Sequence, residues 1–376
     1  MPPRGERLML ALCFGTRPQV IKASALLPVL RSRWPVMTID TGQHYDFELN
    51  ELLYQQLEVP PPDHFLEVGS ADPAAQTAAV LTRTAEVLRR HRPAAVLVVG
   101  DTNSTLGCAL AANKENLPII HVEAGLRSSE PNLPEEVNRR IVDVIAALLC
   151  APSAASASNL RAERAPGHIV TTGDVGRDVL LRHRRLAPST GIMPPFALAT
   201  IHRAALTDDE NALRSVMDAL GELEMPILLP AHPRTRAVLE EYDLLKRLPS
   251  SVSLQSPMGY LETIAAVRDA TVVVTDSGGL QREAYWLGTP CVTLRGETEW
   301  LETLECGANA LVPPLAARGM LATTVSEQCR RKREKPWSTD AYGKGDAAER
   351  VADAVSSLLD PPENTLQRAR SEGRAV

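Results

Sequence analysis

The sequence predicts an α/β protein built from two doubly wound, Rossmann-like domains that face one another across a central cleft. Short apolar segments alternate with helical patterns along most of the chain. These segments are continuously apolar, which is typical of strands buried on both faces of a parallel sheet. The alternation is interrupted once, at "HRRLAPSTGIMPP" (183–195), and then begins again. This interruption predicts two domains, because each β/α series builds its own sheet.

The first series is predicted to form a domain over residues 1–182. Its apolar segments predict strands at 8–14, 36–40, 94–101, 118–124, 147–153 and 168–174. Helical patterns between them begin near Gln19, Phe47, Ala74, Ser104, Glu135 and Ala154. Helices in these positions are the crossover connections that parallel strands require.

The second series is predicted to form a domain over residues 196–358. Residues 183–195 are predicted to be a linker, because they are rich in Arg, Pro, Ser and Gly and lack periodicity. The polar, Arg-rich residues 359–376 are predicted to be a tail. Ligands of open α/β sheets bind beyond the carboxyl ends of the strands, so we expect the site there. The predicted strands of this domain are 196–201, 226–232, 252–257, 271–277, 290–295 and 308–314.

The composition favours a cytoplasmic protein that binds neither nucleic acid nor a membrane. A net charge of −6 over 376 residues argues against a surface that binds polyanions. Six cysteines are scattered without a CxxC pair, as expected for reduced thiols. No apolar run approaches the roughly 20 residues that span a bilayer. The first residues resemble a short signal peptide but lack a small-residue cleavage site, so we expect them to lead into a strand.

Common cofactor and metal motifs are absent from the sequence. There is no P-loop motif, and no GxGxxG follows the first strand. HExxH and Asp-x-Asp are also missing, which argues against a catalytic metal. The sequence therefore predicts a site without a metal or a redox cofactor.

The turn after the first strand, "GTRPQVIK", is a candidate anion site. Gly15 permits a sharp turn, and Pro18 suits the first turn of a helix. Arg17 and Lys22 follow near the start of that helix, where cations and free backbone N–H groups bind anions. The alternative is an ordinary capped turn with exposed basic side chains.

Three acidic residues in the first half are candidates for proton transfer. Asp101 ends the third strand, and Glu123 lies in an otherwise apolar run, where an acid is costly unless it is paired or used. "PNLPEEVNRRIVD" begins a helix at a proline, with Glu135 in its first turn and Arg139 one turn later. Taken singly, Asp101 is more simply a helix N-cap and Glu135 a partner of the helix dipole.

The second half places two histidines and a glycine turn at predicted strand ends. His202 follows a strand in "LATIHRA", and His232 lies in the more rigid turn "PAHPRT". In "TDSGGLQREA", Asp276 and Ser277 are cap residues, while Gly278 and Gly279 let backbone N–H groups approach an anion. A pyrophosphate would fit such a turn.

Two more side chains are candidates for the same ligand. Glu283 lies one turn into the helix after the glycine turn, where its carboxylate could reach ribose hydroxyls. Arg295 follows the next strand in "CVTLRGETEW" and, with Glu297, is candidate pocket lining.

Taken together, these motifs resemble the non-hydrolysing UDP-N-acetylglucosamine 2-epimerase family, whose fold is GT-B-like. The similarity runs in order through "GTRPQVIK", "GDTNST", "HVEAGLRS", "PEEVNR", "TIHRA", "HPRT", "DSGGLQREA" and "GANALV". The resemblance implies reversible inversion at C2 of a UDP-linked 2-acetamido sugar, UDP-GlcNAc to UDP-ManNAc. It implies anti elimination of UDP to a 2-acetamidoglucal, followed by re-addition of UDP. It also implies a homodimer that needs no cofactor.

The same resemblance assigns roles to the candidate residues. The implied catalytic residues are Asp101, Glu123, Glu135 and His202. The implied UDP-sugar-binding residues are Arg17, Lys22, Ser277, Gly278, Gly279 and Glu283, with Arg139 nearby and His232 and Arg295 as further candidates.

Three departures from the family pattern bear on the substrate. The common "RPE" is "RPQ" here, with Gln19, and Trp300 stands where many members have Arg-Pro. Both changes look more like the branch that acts on UDP-2,3-diacetamido-2,3-dideoxyglucuronate. "GQHYDFE" (42–48) lacks the second glutamine of members that their own substrate activates, so we expect no such activation.

Three other functions fit the same pattern. They are a hydrolysing epimerase that releases the free sugar, a GT-B glycosyltransferase, and a catalytically inactive sugar-nucleotide-binding protein. The glycosyltransferase and the inactive binding protein are disfavoured, because neither function needs three carboxylates at C2 such as Asp101, Glu123 and Glu135.

Overall fold

The structure is a computed structural model that describes residues 8–43 and 47–359. The described residues form two compact units. The first unit contains the residues up to Val179 and those from Tyr342 onward, and the second is Leu180–Ala341. Each unit has one sheet, and every strand pair in both sheets is parallel. The predicted α/β class with two parallel sheets is confirmed.

The sheet of the first unit has seven strands in the order β3-β2-β1-β4-β5-β6-β7. The order changes direction at β1, which pairs with both β2 and β4. Open α/β sheets bind ligands at the carboxyl ends of strands beside such a reversal. The strands are β1 (Leu10–Phe14), β2 (Val36–Asp40), β3 (His64–Phe65), β4 (Ala95–Val99), β5 (Ile119–Val122), β6 (Leu148–Ala151) and β7 (His168–Thr171).

The helices of this unit begin close to the predicted positions. Proline occupies the first turn of the first, third and fifth helices. Backbone N–H groups have no partner within the helix at this position, so proline costs no hydrogen bond there. The helices are α1 (Arg17–Arg33), α2 (Phe47–Gln56), α3 (Pro73–His91), α4 (Asn103–Lys114), α5 (Pro134–Ile145), α6 (Ala154–Ala162) and α7 (Val175–His183).

The sheet of the second unit has six strands in the order β10-β9-β8-β11-β12-β13. These strands are β8 (Ala197–Thr200), β9 (Ile227–Pro230), β10 (Val252–Gln255), β11 (Val272–Thr275), β12 (Cys291–Thr293) and β13 (Asn309–Leu311). Its helices are α8 (Ala204–Thr207), α9 (Glu210–Gly221), α10 (Pro233–Glu241), α11 (Tyr260–Asp269), α12 (Gly278–Leu287), α13 (Leu301–Glu305) and α14 (Ala317–Glu334). Two 3₁₀ turns lie at Leu245–Arg247 and Pro314–Ala316.

Small aliphatic side chains build the cores on the sheet faces. All five residues of β1 and of β4 are buried, which explains why these strands read as continuous apolar runs. The second unit has separate apolar clusters, one containing Val272 and Val274 and the other containing Val273. Alternate residues of β11 therefore pack on opposite faces of the sheet.

The end of the chain departs from the predicted domain boundaries. Residues 196–358 were expected to form one domain, but helix α15 (Ala347–Leu359) packs on α1 and β6 of the first unit. Arg33 pairs with Glu349 at 2.8 Å, and Asp178 accepts the backbone N–H of Ala348 at 2.7 Å. The second unit therefore ends at Ala341. Residues 360–376 of the predicted tail lie outside the described residues, as do 44–46 of "GQHYDFE".

None of the helices within 8–43 and 47–359 has both the length and the hydropathy needed to cross a bilayer.

Candidate active site

A buried ion pair joins Lys22 and Glu123 in the first unit. Lys22 lies in the second turn of α1, the helix that follows β1, and Glu123 follows β5 directly. Their side chains are only 9% and 7% exposed. Glu123 has a φ of +76°, a left-handed conformation that residues other than glycine rarely adopt. Strain of this kind is concentrated at functional sites, where the surrounding structure holds it in place.

Lys22 was expected to bind UDP, and the structure places its ammonium group on the Glu123 carboxylate. Gly100, at the end of β4, also lies against this carboxylate. Gly100 has a φ of +72°, and a Cβ added to it would be 3.4 Å from Oε2 of Glu123. The ends of α1, β4 and β5 therefore enclose one carboxylate and one cation.

A second charged group surrounds Arg139 of α5. Its guanidinium pairs with Asp101, at the end of β4, and with Glu136 at 2.7 Å. Glu136 is fully buried and also accepts the Arg140 Nε–H at 2.7 Å and the Ser128 backbone N–H at 3.0 Å. Asp101 and Arg139 of the predicted set are thus in direct contact.

The predicted acid Glu135 is exposed, whereas its neighbour Glu136 is the buried one. Sequence reasoning assigned a role to Glu135 and none to Glu136. Helical periodicity contains the signal, since Glu136, Arg139 and Asp143 recur at spacings of three and four residues on the buried face of α5.

A buried polar network holds the segment on both sides of Glu123. Asp143 of α5 contacts Nδ1 of His121 at 2.7 Å and accepts the Gly125 backbone N–H at 3.2 Å. Arg127 lies 2.8 Å from the same carboxylate. Burial raises the pKa of Asp143, but its bonds to His121 and Arg127 outweigh burial, so its pKa is lowered. Sequence reasoning assigned no role to Asp143, whose partners are distant along the chain.

Gln19 is part of the framework of the turn. Its side-chain oxygen accepts the backbone N–H groups of Gly15 and Thr16, at 2.9 and 3.2 Å. Its amide nitrogen is 2.7 Å from the Val99 carbonyl oxygen and within hydrogen-bond distance of the hydroxyls of Thr102, the N-cap of α4, and Thr105. Gln19 is 2% exposed, so it ties the end of β1 to the end of β4. Arg17 is half-buried at the first position of α1.

In the second unit, His202 and Asp276 meet at the ends of β8 and β11. The Asp276 carboxylate accepts the backbone N–H of His202 at 2.9 Å and lies 3.3 Å from its Nδ1. Asp276 is buried, while the His202 side chain is half exposed. Sequence reasoning treated Asp276 as a cap residue only.

The glycine turn begins helix α12. Ser277 is its N-cap and accepts the Leu280 N–H at 3.3 Å, while Gly278 and Gly279 are its first two residues. Free N–H groups in a first helical turn favour an anion. Glu283 lies in the next turn and is half-buried.

The other predicted residues of the second unit have local partners. Arg295 pairs with Glu299 at 2.9 Å, and His232 caps α10 by accepting the Arg234 N–H at 3.3 Å. Trp300 is buried, and the guanidinium of Arg282 lies 3.8 Å from the centre of its ring. Within the described chain, no three His, Cys, Asp or Glu side chains are grouped as metal ligands would be.

Comparison with known proteins identifies the family. The family model described as UDP-N-acetylglucosamine 2-epimerase matches residues 30–356. The UDP-2,3-diacetamido-2,3-dideoxy-D-glucuronate 2-epimerase of Pseudomonas aeruginosa is 40% identical over 92% of this chain and 98% of its own length. The UDP-N-acetylglucosamine 2-epimerase of Methanocaldococcus jannaschii is 34% identical over 92% of this chain and 98% of its own length.

Solved structures agree with the sequence comparison. The M. jannaschii UDP-GlcNAc 2-epimerase in complex with UDP-GlcNAc and UDP is 33% identical, with a TM-score of 0.87 over 93% of this chain and 99% of that chain. The UDP-GlcNAc 2-epimerase of Neisseria meningitidis bound to UDP-GlcNAc is 26% identical, with a TM-score of 0.83 over the same two fractions, 93% and 99%. These likenesses confirm the expected GT-B-like fold class and the resemblance drawn from the motifs. The chain belongs to the UDP-N-acetylglucosamine 2-epimerase family.

Proposed function

We propose that this protein is an isomerase that reversibly inverts C2 of a UDP-linked 2-acetamido sugar. The observation that carries the proposal is the Glu123 carboxylate. It is buried, held in a strained backbone conformation, paired with Lys22, and placed where strands of the parallel sheet end. The similarity to UDP-sugar 2-epimerases over more than nine tenths of the chain supports the same function.

The proposed reaction proceeds by elimination and re-addition. The C2 proton of a 2-acetamido sugar is not acidic, so the C1–O bond must break with, or ahead of, proton loss. Its electron pair leaves with UDP, a carboxylate takes the C2 proton, and a 2-acetamidoglucal remains. UDP oxygen then adds to C1 while a second acid delivers a proton to the other face of C2. We assign the carboxylate roles to Asp101, Glu123 and Glu135.

Individual residues are assigned to parts of the substrate in this proposal. The N-terminal turn of α12, with Ser277, Gly278 and Gly279, binds the UDP diphosphate, and Glu283 binds the ribose. His202 is a catalytic acid or hydrogen-bond donor to the leaving group. Further UDP-sugar contacts are proposed for Arg17, Arg139, His232 and Arg295. Lys22 is proposed to act on the substrate, either through Glu123 or directly.

Two sugars are candidate substrates. UDP-GlcNAc is the substrate named for most of the similar enzymes. UDP-2,3-diacetamido-2,3-dideoxyglucuronate is supported by the P. aeruginosa relative and by Trp300, whose ring packs under Arg282. Trp300 stands where many members of the family have Arg-Pro.

An incubation in D2O followed by NMR tests the proposal. Each candidate UDP-sugar is supplied separately, and the sugar C2 position and the UDP bond are followed with time. We expect deuterium at C2 with the UDP bond retained, for one of the two sugars. Release of free sugar would identify a hydrolysing epimerase, and transfer to an added acceptor would identify a glycosyltransferase. Absence of C2 exchange with both sugars would overturn the proposal.

We also propose that the protein is a cytoplasmic homodimer. Three apolar residues, Val137, Ile141 and Val144, form an exposed stripe along α5, as expected of a surface that a second copy covers. Light scattering on the eluting protein should give twice the mass of 40.8 kDa. A monomeric mass would contradict this part of the proposal.

A further inference from the structure

The carboxylate of Asp276 fixes the backbone of His202. Asp276 follows β11 directly and is 1% exposed. Its Oδ2 accepts the backbone N–H groups of His202, at 2.9 Å, and of Arg203, at 2.8 Å. These two residues leave the end of β8, which is the neighbour of β11 in the sheet. One carboxylate oxygen thus determines where His202 begins its turn away from the sheet.

The second carboxylate oxygen faces the imidazole ring. Oδ1 of Asp276 lies 3.3 Å from Nδ1 of His202, slightly longer than a typical N–H···O distance. Oδ1 is buried, and within the described residues it accepts no hydrogen bond of good geometry. A buried carboxylate oxygen without a donor is unfavourable, and a small rotation of the ring would place Nδ1–H on it.

An acceptor beside Nδ1 determines which ring nitrogen bears the proton. A neutral histidine has one N–H group, and Asp276 is satisfied only when that group is on Nδ1. Nε2 is then left as the nitrogen that can accept a proton, on a side chain that is 50% exposed. The carboxylate also stabilises the imidazolium that forms when Nε2 is protonated.

We propose that Asp276 is a positioning residue that holds His202 in the Nδ1–H tautomer and stabilises its protonated form. This inference rests on the role of His202 as the catalytic acid proposed above, in which Nε2 gives a proton to the leaving group and takes it back in the reverse reaction. Asp276 also precedes Ser277, so a competing account is that Asp276 only shapes the UDP-binding turn. The two accounts differ in what they predict for the ring nitrogens and for UDP affinity.

The test compares Asp276→Asn with the wild type. In the variant, the amide oxygen can keep the two backbone bonds, and the amide NH2 then faces Nδ1. Nδ1 must accept that hydrogen bond, so the ring proton moves to Nε2. Histidine-selective 15N NMR reports the tautomer, with His202→Gln identifying the signal. Asp209→Asn is the matched control, because Asp209 also accepts two backbone N–H groups, at 2.9 and 3.0 Å, in the same unit.

We expect the wild type to show the Nδ1–H tautomer and Asp276→Asn to show the Nε2–H tautomer. The variant should lose about 10²- to 10⁴-fold in kcat, with KM and the Kd for UDP unchanged. Asp209→Asn should behave as the wild type in every measurement. An Nε2–H tautomer in the wild type, or an unchanged tautomer in Asp276→Asn, would overturn the proposal even if the variant were poorly folded.

Two further results would also overturn it. A tautomer change with unchanged kcat would remove the catalytic consequence, and a parallel loss of UDP affinity would favour the turn-shaping account. The failure of the proposed function is a separate result. If the wild type were inactive on every UDP-sugar, the NMR measurement would still decide whether Asp276 sets the tautomer of His202.

Discussion

The ammonium group of Lys22 pairs with the carboxylate of Glu123, and the two side chains are 9% and 7% exposed. Removal of either charge alone takes a buried partner from the other, which costs more than a surface ion pair contributes. The pair therefore fixes the position of the Glu123 carboxylate, which suits a group that must accept a proton from a defined direction.

Substitution of Lys22 should test this relationship through stability. Lys22→Met removes the Lys22 cation from the buried Glu123 carboxylate, so we expect the free energy of unfolding to fall by about 3 kcal/mol. The double variant Lys22→Met, Glu123→Leu removes both charges and should recover to within about 1 kcal/mol of the wild type. Urea denaturation measures both values. If the double variant were as unstable as Lys22→Met, the pair would not be the cause.

The acid side of the stability profile should depend on Asp143. Its folded-state pKa is below the ordinary value of 3.8, so its stabilising contribution is present above that value. The contribution is lost as the pH falls through the folded-state pKa. We expect Asp143→Asn to lower stability at pH 7 by about 3 kcal/mol and to flatten the acid limb of the profile. Asp353→Asn, which removes an exposed partner of Arg33, should leave that limb unchanged. Equal acid limbs in wild type and Asp143→Asn would contradict this assignment.

Gln19→Glu should alter stability without altering substrate preference. The substitution replaces the amide that donates to the Val99 carbonyl at 2.7 Å with a second oxygen, which should cost about 1–3 kcal/mol. Gln76→Glu removes one hydrogen bond, from the Gln76 amide to the Gly69 carbonyl oxygen at 2.8 Å, and should lower the free energy of unfolding by less. Because Gln19 is 2% exposed, the ratio of kcat/KM for the two candidate sugars should not change. A changed ratio would show that Gln19 reaches the substrate.

Gly125 is required for its backbone conformation and for the space around it. Its φ is +82°, and an added Cβ would be 2.3 Å from the Ser156 carbonyl oxygen. Gly69 has a similar φ of +70° but nothing within 4 Å of an added Cβ. Gly69→Ala should therefore lower the free energy of unfolding by about 1 kcal/mol, and Gly125→Ala should lower it by about 1–3 kcal/mol more. Thermal unfolding compares the two, and equal losses would exclude the steric contribution.

The strands could be predicted from sequence because burial on both sheet faces leaves continuous apolar runs. β3 was missed, since a two-residue strand leaves no such run. The return of α15 to the first unit was also missed. Its ion pair with Arg33 joins residues 316 positions apart, and no local pattern contains that information.

The site was predictable in its residue types but only partly in its contacts. Glu123 was conspicuous as an acid in an apolar run, and the sequence indicated that it must be paired or used. Its contact Lys22 is 101 positions away, and no local pattern links the two residues. Asp276 and Asp143 looked like ordinary polar residues, because their importance lies in the backbone and ring nitrogens that they bind.

The most direct test of the account is C2 exchange by Glu123→Gln. The glutamine keeps the shape of the side chain but cannot accept the C2 proton. We expect deuterium incorporation at C2 to fall on the order of 10³-fold relative to the wild type, with the Kd for UDP unchanged. A Glu123→Gln protein that exchanges the C2 proton at the wild-type rate would contradict the account.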